Sequence, residues 1–146
     1  SVEIIKSHVT NGVKIAKNYG LPERIIDFIR THHGTNLISY FYNKEIKQDS
    51  SINKKEFSYP GPKPFSKEMA IVMMCDSVEA ATKSIEKPNA EKINLYVEKI
   101  IDNQIDGNQF SDCELTFKNI SVIKSILKDK LKNIYHVRVE YPKKPE

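Results

Sequence analysis

The sequence predicts an all-α protein, and three observations favour this class. Apolar residues recur every three or four positions along most of the chain, which is the period of a helix with one buried face. Glycines follow several of these stretches, where they would end helices. The chain has no strong hairpin signal. Its 146 residues, 39% hydrophobic and 29% charged, suit a single domain with its own core.

The first predicted helix runs from Ser1 to Tyr19 and ends at Gly20. Its apolar stripe contains Ile5, His8, Gly12, Ile15, Ala16 and Tyr19. This pattern places His8 on the face that we expect to be buried. Gly12, one turn later, leaves room for another segment to approach that histidine closely.

A second helix is predicted to restart at Leu21-Pro22, because proline is tolerated in the first turn. It leads to two adjacent histidines, His32 and His33, and ends at Gly34. The pair continues the apolar face that is formed by Ile25, Ile26, Phe28 and Ile29. We therefore expect both imidazole rings to face inward.

The middle of the chain is predicted to contain a helix, then a polar loop, then an extended segment. An aromatic-rich third helix runs from Asn36 to about Lys47, and the polar residues 48–56 then predict a mobile loop. Residues 57–65 contain three prolines and one glycine, which exclude a regular helix. The aromatic residues in that segment favour an ordered, extended structure.

Three more helices follow. Ser66 is predicted to cap the fourth, which runs to about Glu86. The fifth opens at Pro88-Asn89 and closes at Gly107, and the sixth follows a cap at Thr116. In the fourth helix Asp76 shares an apolar stripe with Met69, Val72, Met73 and Ala80. Because an unpaired buried carboxylate is costly, this position predicts a cation, a donor or a metal beside it.

Composition excludes several functions. A net charge of +4 is too small to argue for a nucleic acid polymer as partner. No apolar run approaches the ~20 residues of a membrane span. Two cysteines, Cys75 and Cys113, do not form a disulfide framework, so a reducing compartment is favoured.

Four side chains of the metal-ligand type, His8, His32, His33 and Asp76, lie on inward stripes of three helices. Imidazoles with a carboxylate suit Fe, Mn, Zn or Ni. Each has a simpler alternative: a hydrogen-bonded core histidine for His8, cations favoured by the helix dipole for the pair, and a salt bridge for Asp76. The segment from Tyr59 to Lys63 could contact a nucleotide or simply pack over the core. Convergence of the three stripes favours a shared metal site.

The order of three motifs, His32 to Thr35, Tyr59 to Pro64 and Asp76 to Ala81, resembles a known family. It is similar to the cytoplasmic HD-type hydrolase domain of the bacterial seven-transmembrane HD proteins (PgpH type), which are cyclic di-AMP phosphodiesterases. The resemblance covers nearly the whole chain, with residues 1–142 as the domain and 143–146 as a tail. It implies an HD-domain-like helical bundle of about six helices.

The resemblance also implies the chemistry. Two divalent transition metals, Fe or Mn, would hold the phosphate oxygens while a metal-bound hydroxide hydrolyses cyclic di-AMP to pApA. His8, His32, His33 and Asp76 match metal ligands of the family. Tyr59 and Lys63 match motif positions and are candidates for substrate binding, with Lys63 as a phosphate contact. No residue is assigned as the catalytic acid or base.

One departure from the family is large, because the chain has no His-Asp dipeptide. We therefore expect the C-terminal part of an HD domain, truncated at its N-terminal side and poorly active alone. Membrane spans would lie upstream and place the domain on the cytoplasmic side of the bacterial inner membrane. Two alternatives stay open: an HD hydrolase of another phosphoester, such as cyclic di-GMP or a nucleotide, and a non-catalytic helical signalling module.

Overall fold

The computed structural model describes residues 2–137, and this part of the chain contains six α-helices. They are α1 (Val2–Asn18), α2 (Glu23–Thr31), α3 (Ser39–Glu45), α4 (Lys67–Thr82), α5 (Ala90–Asp106) and α6 (Phe117–Ile134). Extended pairing within these residues consists of one antiparallel bridge between Leu37 and Ser58. The prediction of an all-α chain with six helices is confirmed. The predicted C-terminal tail, residues 143–146, lies outside the described residues.

Side-chain caps begin three of the helices. The Ser66 hydroxyl accepts a backbone N–H of α4 at 3.2 Å, and the Asn89 side chain accepts one of α5 at 2.8 Å. Thr116 and Asn119 exchange two such bonds, at 3.0 and 3.1 Å, which form a capping box on α6. The predicted caps at Ser66 and Thr116 are confirmed. Each cap of this kind stabilises a helix by about 1 kcal/mol, since it satisfies a backbone donor that the helix cannot.

Three helices end with the same backbone arrangement, the Schellman motif. A residue with positive φ follows the helix in each case: Gly20, Asn108 and His136. The next N–H donates at 3.0 Å to the carbonyl five residues earlier, as in the pairs Leu21 to Ala16, Gln109 to Gln104 and Val137 to Lys132. These bonds satisfy carbonyls that the helix would otherwise leave open.

The chain divides into two compact units. The first contains Ser1–Met73 and Gln104–Glu114, and the second contains Met74–Asn103 and Leu115–Glu146. The first unit therefore holds α1, α2, α3, the first part of α4 (67–73) and the last turn of α5. The second holds most of α4 and α5, together with α6.

In the first unit α1 packs against α2. The two helices approach closely at Gly12, where a Cβ would lie 3.0 Å from the Cγ2 of Ile29. Glycine thus permits this approach, as the sequence predicted. The unit's buried residues include Val9, Ala16, Ile26, Thr31, Ile38, Pro64, Met69, Ala70, Met73 and Gln109.

The segment after α2 is extended where a helix was predicted. Ile38 donates its N–H to the Phe57 carbonyl at 2.7 Å, and Tyr59 donates to the Asn36 carbonyl at 3.0 Å. These bonds hold residues 36–38 beside residues 57–59, so α3 begins at Ser39 and not at Asn36. The predicted loop at 48–56 overlaps a short 3-10 helix at Lys54–Phe57. Residues 58–65 contain no helix, as their prolines predicted.

In the second unit an ion-pair network joins α5 and α6. The Lys124 ammonium lies 2.6 Å from Glu98 and 2.6 Å from Asp102, and the Lys128 ammonium lies 2.5 Å from Glu98. Hydrogen bonds from Lys124 and Lys128 lower the pKa of the Glu98 carboxyl. Buried residues of this unit are Met74, Val78, Thr82, Ile93, Val97, Ile101 and Leu131. Helix α4 ends at Thr82, four residues earlier than the predicted Glu86, and continues as turns.

Two expectations about burial were wrong. His8 and Asp76, which the apolar stripes placed inside, both have exposed side chains. On α1 the buried positions are Val9 and Ala16, whereas Tyr19 of the predicted stripe is 82% exposed. The helical period locates an apolar face only to within about one residue, and it does not show whether another element covers that face.

Gly34, which follows α2, offers a test of how tightly that helix end is held. Its φ is +49°, and a Cβ there would lie 2.5 Å from Gln109 Oε1 and 2.8 Å from the Cε of Met73. We expect Gly34→Ala to lower the free energy of unfolding by the cost of the left-handed backbone, about 1–2 kcal/mol. A further loss is expected because the Gln109 and Met73 side chains must move away from the added methyl group. Denaturant unfolding measures the free energy of unfolding of the variant and of the unmodified chain.

Gly20→Ala is the matched control, because Gly20 has a φ of +69° but nothing within 4 Å of its Cβ position. In this variant the free energy of unfolding should fall only by the cost of the left-handed backbone. Equal losses for the two variants would contradict the close contact at Gly34.

Candidate metal centre

Three histidines from two helices meet in the first unit. The Nε2 atom of His8, on α1, lies 3.0 Å from the Nε2 of His33 and 3.4 Å from the Nε2 of His32. One ligand atom from each ring can be chosen so that all three lie within 4.8 Å of one another. His32 is the C-cap residue directly after α2, and His33 follows it. The structure thus brings together three of the four predicted ligands.

Backbone hydrogen bonds fix which nitrogen two of the rings present. The Nδ1 of His8 bonds to the carbonyl of Ile5, and the Nδ1 of His32 bonds to the carbonyl of Ile29 at 2.7 Å. A carbonyl can only accept, so each Nδ1 carries the proton. In the neutral ring the Nε2 lone pair is then directed at the cluster. Metal-binding histidines are commonly oriented by this kind of bond.

The spacing of the nitrogens fits a shared cation. Metal–imidazole bonds of about 2.0–2.1 Å place neighbouring ligand nitrogens about 2.8–3.4 Å apart, from octahedral to tetrahedral geometry. The observed separations of 3.0 and 3.4 Å lie in that range. Lone pairs facing each other at this distance repel unless a proton or a metal lies between them. The residues present therefore fit a divalent transition metal.

Burial prepares His33 for this role. Burial, together with the nearby rings of His32 and His8, lowers the pKa of the His33 imidazole from 6.5 to about 4. The ring is consequently neutral at pH 7. A neutral imidazole has the lone pair that a metal needs.

Tyr59 stacks on His33. The two ring centroids are 4.3 Å apart and the planes differ by 16°, whereas the same tyrosine meets His8 edge-on at 6.0 Å. The pairing of residues 36–38 with 57–59 brings the tyrosine to this position. Tyr59 was predicted to contact substrate, and that role stays a prediction. The structure shows that it packs against a candidate ligand.

The turn after the histidine pair is held by a residue that the sequence did not single out. Thr35 donates its N–H to Gln109 Oε1 at 2.9 Å, and Gln109 Nε2 donates to Thr35 Oγ1 at 3.0 Å. Gln109 is only 4% exposed. It lies 74 positions from Thr35, so no local spacing could have indicated this contact.

The other two predicted site residues lie as follows. Lys63 is half-buried, and its ammonium donates to the Ser111 hydroxyl at 3.3 Å. Asp76 lies on α4 in the second unit and has an exposed side chain. Substrate binding by Lys63 and metal binding by Asp76 both stay predictions.

Comparison with known proteins identifies the relatives of this chain. It is 45% identical over 142 residues to the cyclic-di-AMP phosphodiesterase PgpH of Bacillus subtilis (strain 168), covering 97% of this chain and 20% of the relative. It is 39% identical over 142 residues to the PgpH of Listeria monocytogenes serotype 1/2a (strain 10403S), with the same coverage. The chain is homologous to part of PgpH.

Solved structures support the same relationship. The crystal structure of the L. monocytogenes PgpH HD domain in complex with cyclic-di-AMP superposes with a TM-score of 0.91 at 39% identity. This match covers 97% of the chain but 66% of the solved domain. A second structure of the same PgpH domain gives a TM-score of 0.86 at 38% identity, covering 92% of the chain and 63% of that domain. The expected HD-like fold, present here as part of the domain, is confirmed.

No family model matches the chain. Among residues 2–137, no helix has both the length and the apolar character required to cross a bilayer.

The lowered pKa of His33 predicts how stability depends on pH in the metal-free chain. Between pH 6.5 and about 4 the unfolded chain binds a proton at this ring and the folded chain does not. The free energy of unfolding should therefore fall as the pH drops through this range. Denaturant unfolding at several pH values, with chelator present, measures the slope.

Two variants test whether His33 causes this pH dependence of the free energy of unfolding. His33→Asn should reduce it, because the ring that titrates differently is removed. His136→Asn, at an exposed histidine beyond α6, is the control for the loss of a histidine outside the cluster. An unaltered slope in His33→Asn would assign the pH dependence to other groups.

Proposed function

We propose that this chain supplies part of the metal site of a phosphodiesterase that hydrolyses cyclic di-AMP to pApA. The observation that carries the proposal is the convergence of the Nε2 atoms of His8, His32 and His33 in a chain homologous to the PgpH HD domain. The chain spans 20% of the length of the two PgpH relatives, so the activity is proposed for a longer protein that contains this chain, called the longer protein below.

The three histidines would hold a divalent metal, and we propose two such ions, Fe or Mn, in the complete domain. Asp76 is proposed as a fourth ligand on the resemblance of its motif alone. When bound, such metals neutralise phosphate charge and lower the pKa of water. Imidazole with carboxylate is a suitable donor set for both elements.

Other side chains of the first unit have roles around the metal ligands. Tyr59 limits the rotation of the His33 ring by stacking on it. Lys63 carries a positive charge, and its bond to Ser111 restrains the ammonium. We propose that Lys63 contacts a phosphate of the substrate, since a cation at a fixed position favours an anion there. Tyr59 is proposed to contact the cyclic dinucleotide as well.

We also propose that the domain acts on the cytoplasmic side of the inner membrane, attached to it through an upstream part of the longer protein. A cyclic dinucleotide is the proposed partner there. The net charge of +4 supplies general attraction for such an anion without requiring a nucleic acid polymer.

The role of Asp76 can be tested in the longer protein. Asp76→Asn keeps the shape but removes the charge, and it should lower metal content and hydrolysis together by roughly 10-fold or more. Metal analysis and a rate assay measure the two quantities. Asp129→Asn, at an exposed carboxylate on α6, is the control and should change neither. Full metal content and activity in Asp76→Asn would make Asp76 a structural carboxylate.

Substrate and metal can be tested together. The longer protein, stripped of metal by a chelator, should not hydrolyse cyclic di-AMP, and Mn²⁺ or Fe²⁺ should restore formation of pApA. Cyclic di-GMP serves as the competing substrate. Cleavage of cyclic di-GMP alone would contradict the proposed substrate, whereas a protein that neither binds transition metal nor cleaves either nucleotide would favour a non-catalytic module.

A further inference from the structure

The C-terminal end of α2, which carries two candidate ligands, is closed differently from the ends of α1, α5 and α6. Like those helices, α2 is followed by a residue of positive φ, here Gly34, whose N–H bonds to the Thr31 carbonyl at 2.9 Å. In the Schellman motif the next N–H turns back to its own helix. The N–H of Thr35 instead donates to Gln109 Oε1 at 2.9 Å.

We propose that Gln109 is a positioning residue for His32 and His33, because it closes the end of α2 from outside the helix. The inference deepens the proposed function and rests on it. The histidines occupy the two positions between Thr31 and Gly34. A shift of the Thr35 N–H therefore moves the backbone that carries both rings.

Both the oxygen and the nitrogen of the Gln109 side-chain amide form hydrogen bonds at this turn. Its oxygen accepts from the Thr35 N–H, while its nitrogen donates to Thr35 Oγ1 at 3.0 Å and to the Gly107 carbonyl at 3.1 Å. With 4% exposure, water cannot readily replace a lost partner. Removing the amide would leave the Thr35 N–H and hydroxyl without these bonds in a half-buried turn.

Gln109 is itself held firmly. Its N–H donates to the Gln104 carbonyl at 3.0 Å as the last bond of the Schellman motif of α5, and Asn108 before it has a φ of +55°. The end of α5 in the first unit thus fixes the backbone of Gln109. That backbone directs the side chain to the turn behind the histidines.

Contacts on Gly34 add a steric constraint. The space where its Cβ would lie is bordered by Gln109 Oε1 at 2.5 Å and by the Cε of Met73 at 2.8 Å. The glutamine therefore packs directly against the turn as well as bonding to it. Both effects restrict the positions open to His33.

Side-chain NMR of the metal-free 146-residue chain at a fixed pH tests this role without requiring metal or activity. Gln109→Met keeps the length of the side chain but removes the amide. It should shift the imidazole ¹⁵N resonances of His8, His32 and His33 and leave that of His136 in place. Val97→Ala, in the core of the second unit, lowers stability without touching the turn and should shift none of the cluster resonances.

A second pair of variants covers the case in which Gln109→Met does not fold. Gln109→Asn shortens the side chain by one methylene, which takes the amide away from the Thr35 N–H, and it should shift the same resonances. Thr35→Ser keeps both the N–H and the hydroxyl and should leave the resonances in place. Unshifted cluster resonances in a folded Gln109→Met or Gln109→Asn would overturn the proposal.

Binding of Co²⁺ by the longer protein separates this inference from the proposed function. Affinity should fall roughly 10-fold or more in Gln109→Met, the loss typical of residues that orient metal ligands. Co²⁺ binding that is unchanged by Gln109→Met overturns the positioning role while leaving the metal site intact. Absence of Co²⁺ binding in the unmodified longer protein counts against the proposed function, and the resonance shifts then decide the role of Gln109 alone.

Discussion

The candidate site depends on one local constraint, the hydrogen bond from the Nδ1 of a histidine to the carbonyl three residues before it. His8 makes this bond on α1 and His32 makes it at the end of α2. The bond selects the tautomer and limits rotation of the ring. It therefore decides that Nε2 atoms, and not Nδ1 atoms, face one another. Without it the same residues could lie equally close and still offer a metal the wrong nitrogens.

The close approach of α1 and α2 then sets the distance. Gly12 removes the one side chain that would separate the helices at Ile29. The first unit thus assembles three ligands from two neighbouring helices joined by a short turn. Such local pairing has a small loop-closure cost, so the three-histidine arrangement needs few long-range contacts to form.

Much of the fold was predictable because its signals are local. Ser66 and Thr116 begin helices through bonds within one turn, and Gly20 ends one because it adopts a positive φ at no steric cost. The start of α3 could not be predicted in this way. It depends on the pairing of residues 36–38 with 57–59, and a sequence pattern contains no information about that partner.

The site also has features that local sequence signals predict and features that depend on distant residues. The histidine pair was visible from its place at a helix end, and His8 from its spacing along α1. Burial was not predictable, since His8 and Asp76 share stripes with apolar residues yet are exposed. An apolar stripe shows which face of a helix is suited to burial, but not whether another element packs on it. The chain accounts for 66% of the solved PgpH domain that it matches. Metal binding by Asp76 stays a prediction, whereas His8 lies with the histidine pair despite its exposure.

Two long-range contacts complete what the local signals begin. Tyr59 reaches His33 through the extended pairing, and Gln109 reaches the following turn through the end of α5. They restrain the pair on different sides, one at the ring and one at the backbone. A metal site gains affinity when its ligands are already placed, because less order must be imposed on binding. The local Nδ1 bonds thus determine which nitrogens face the cluster, and Tyr59 and Gln109 restrain the histidine pair from distant parts of the chain.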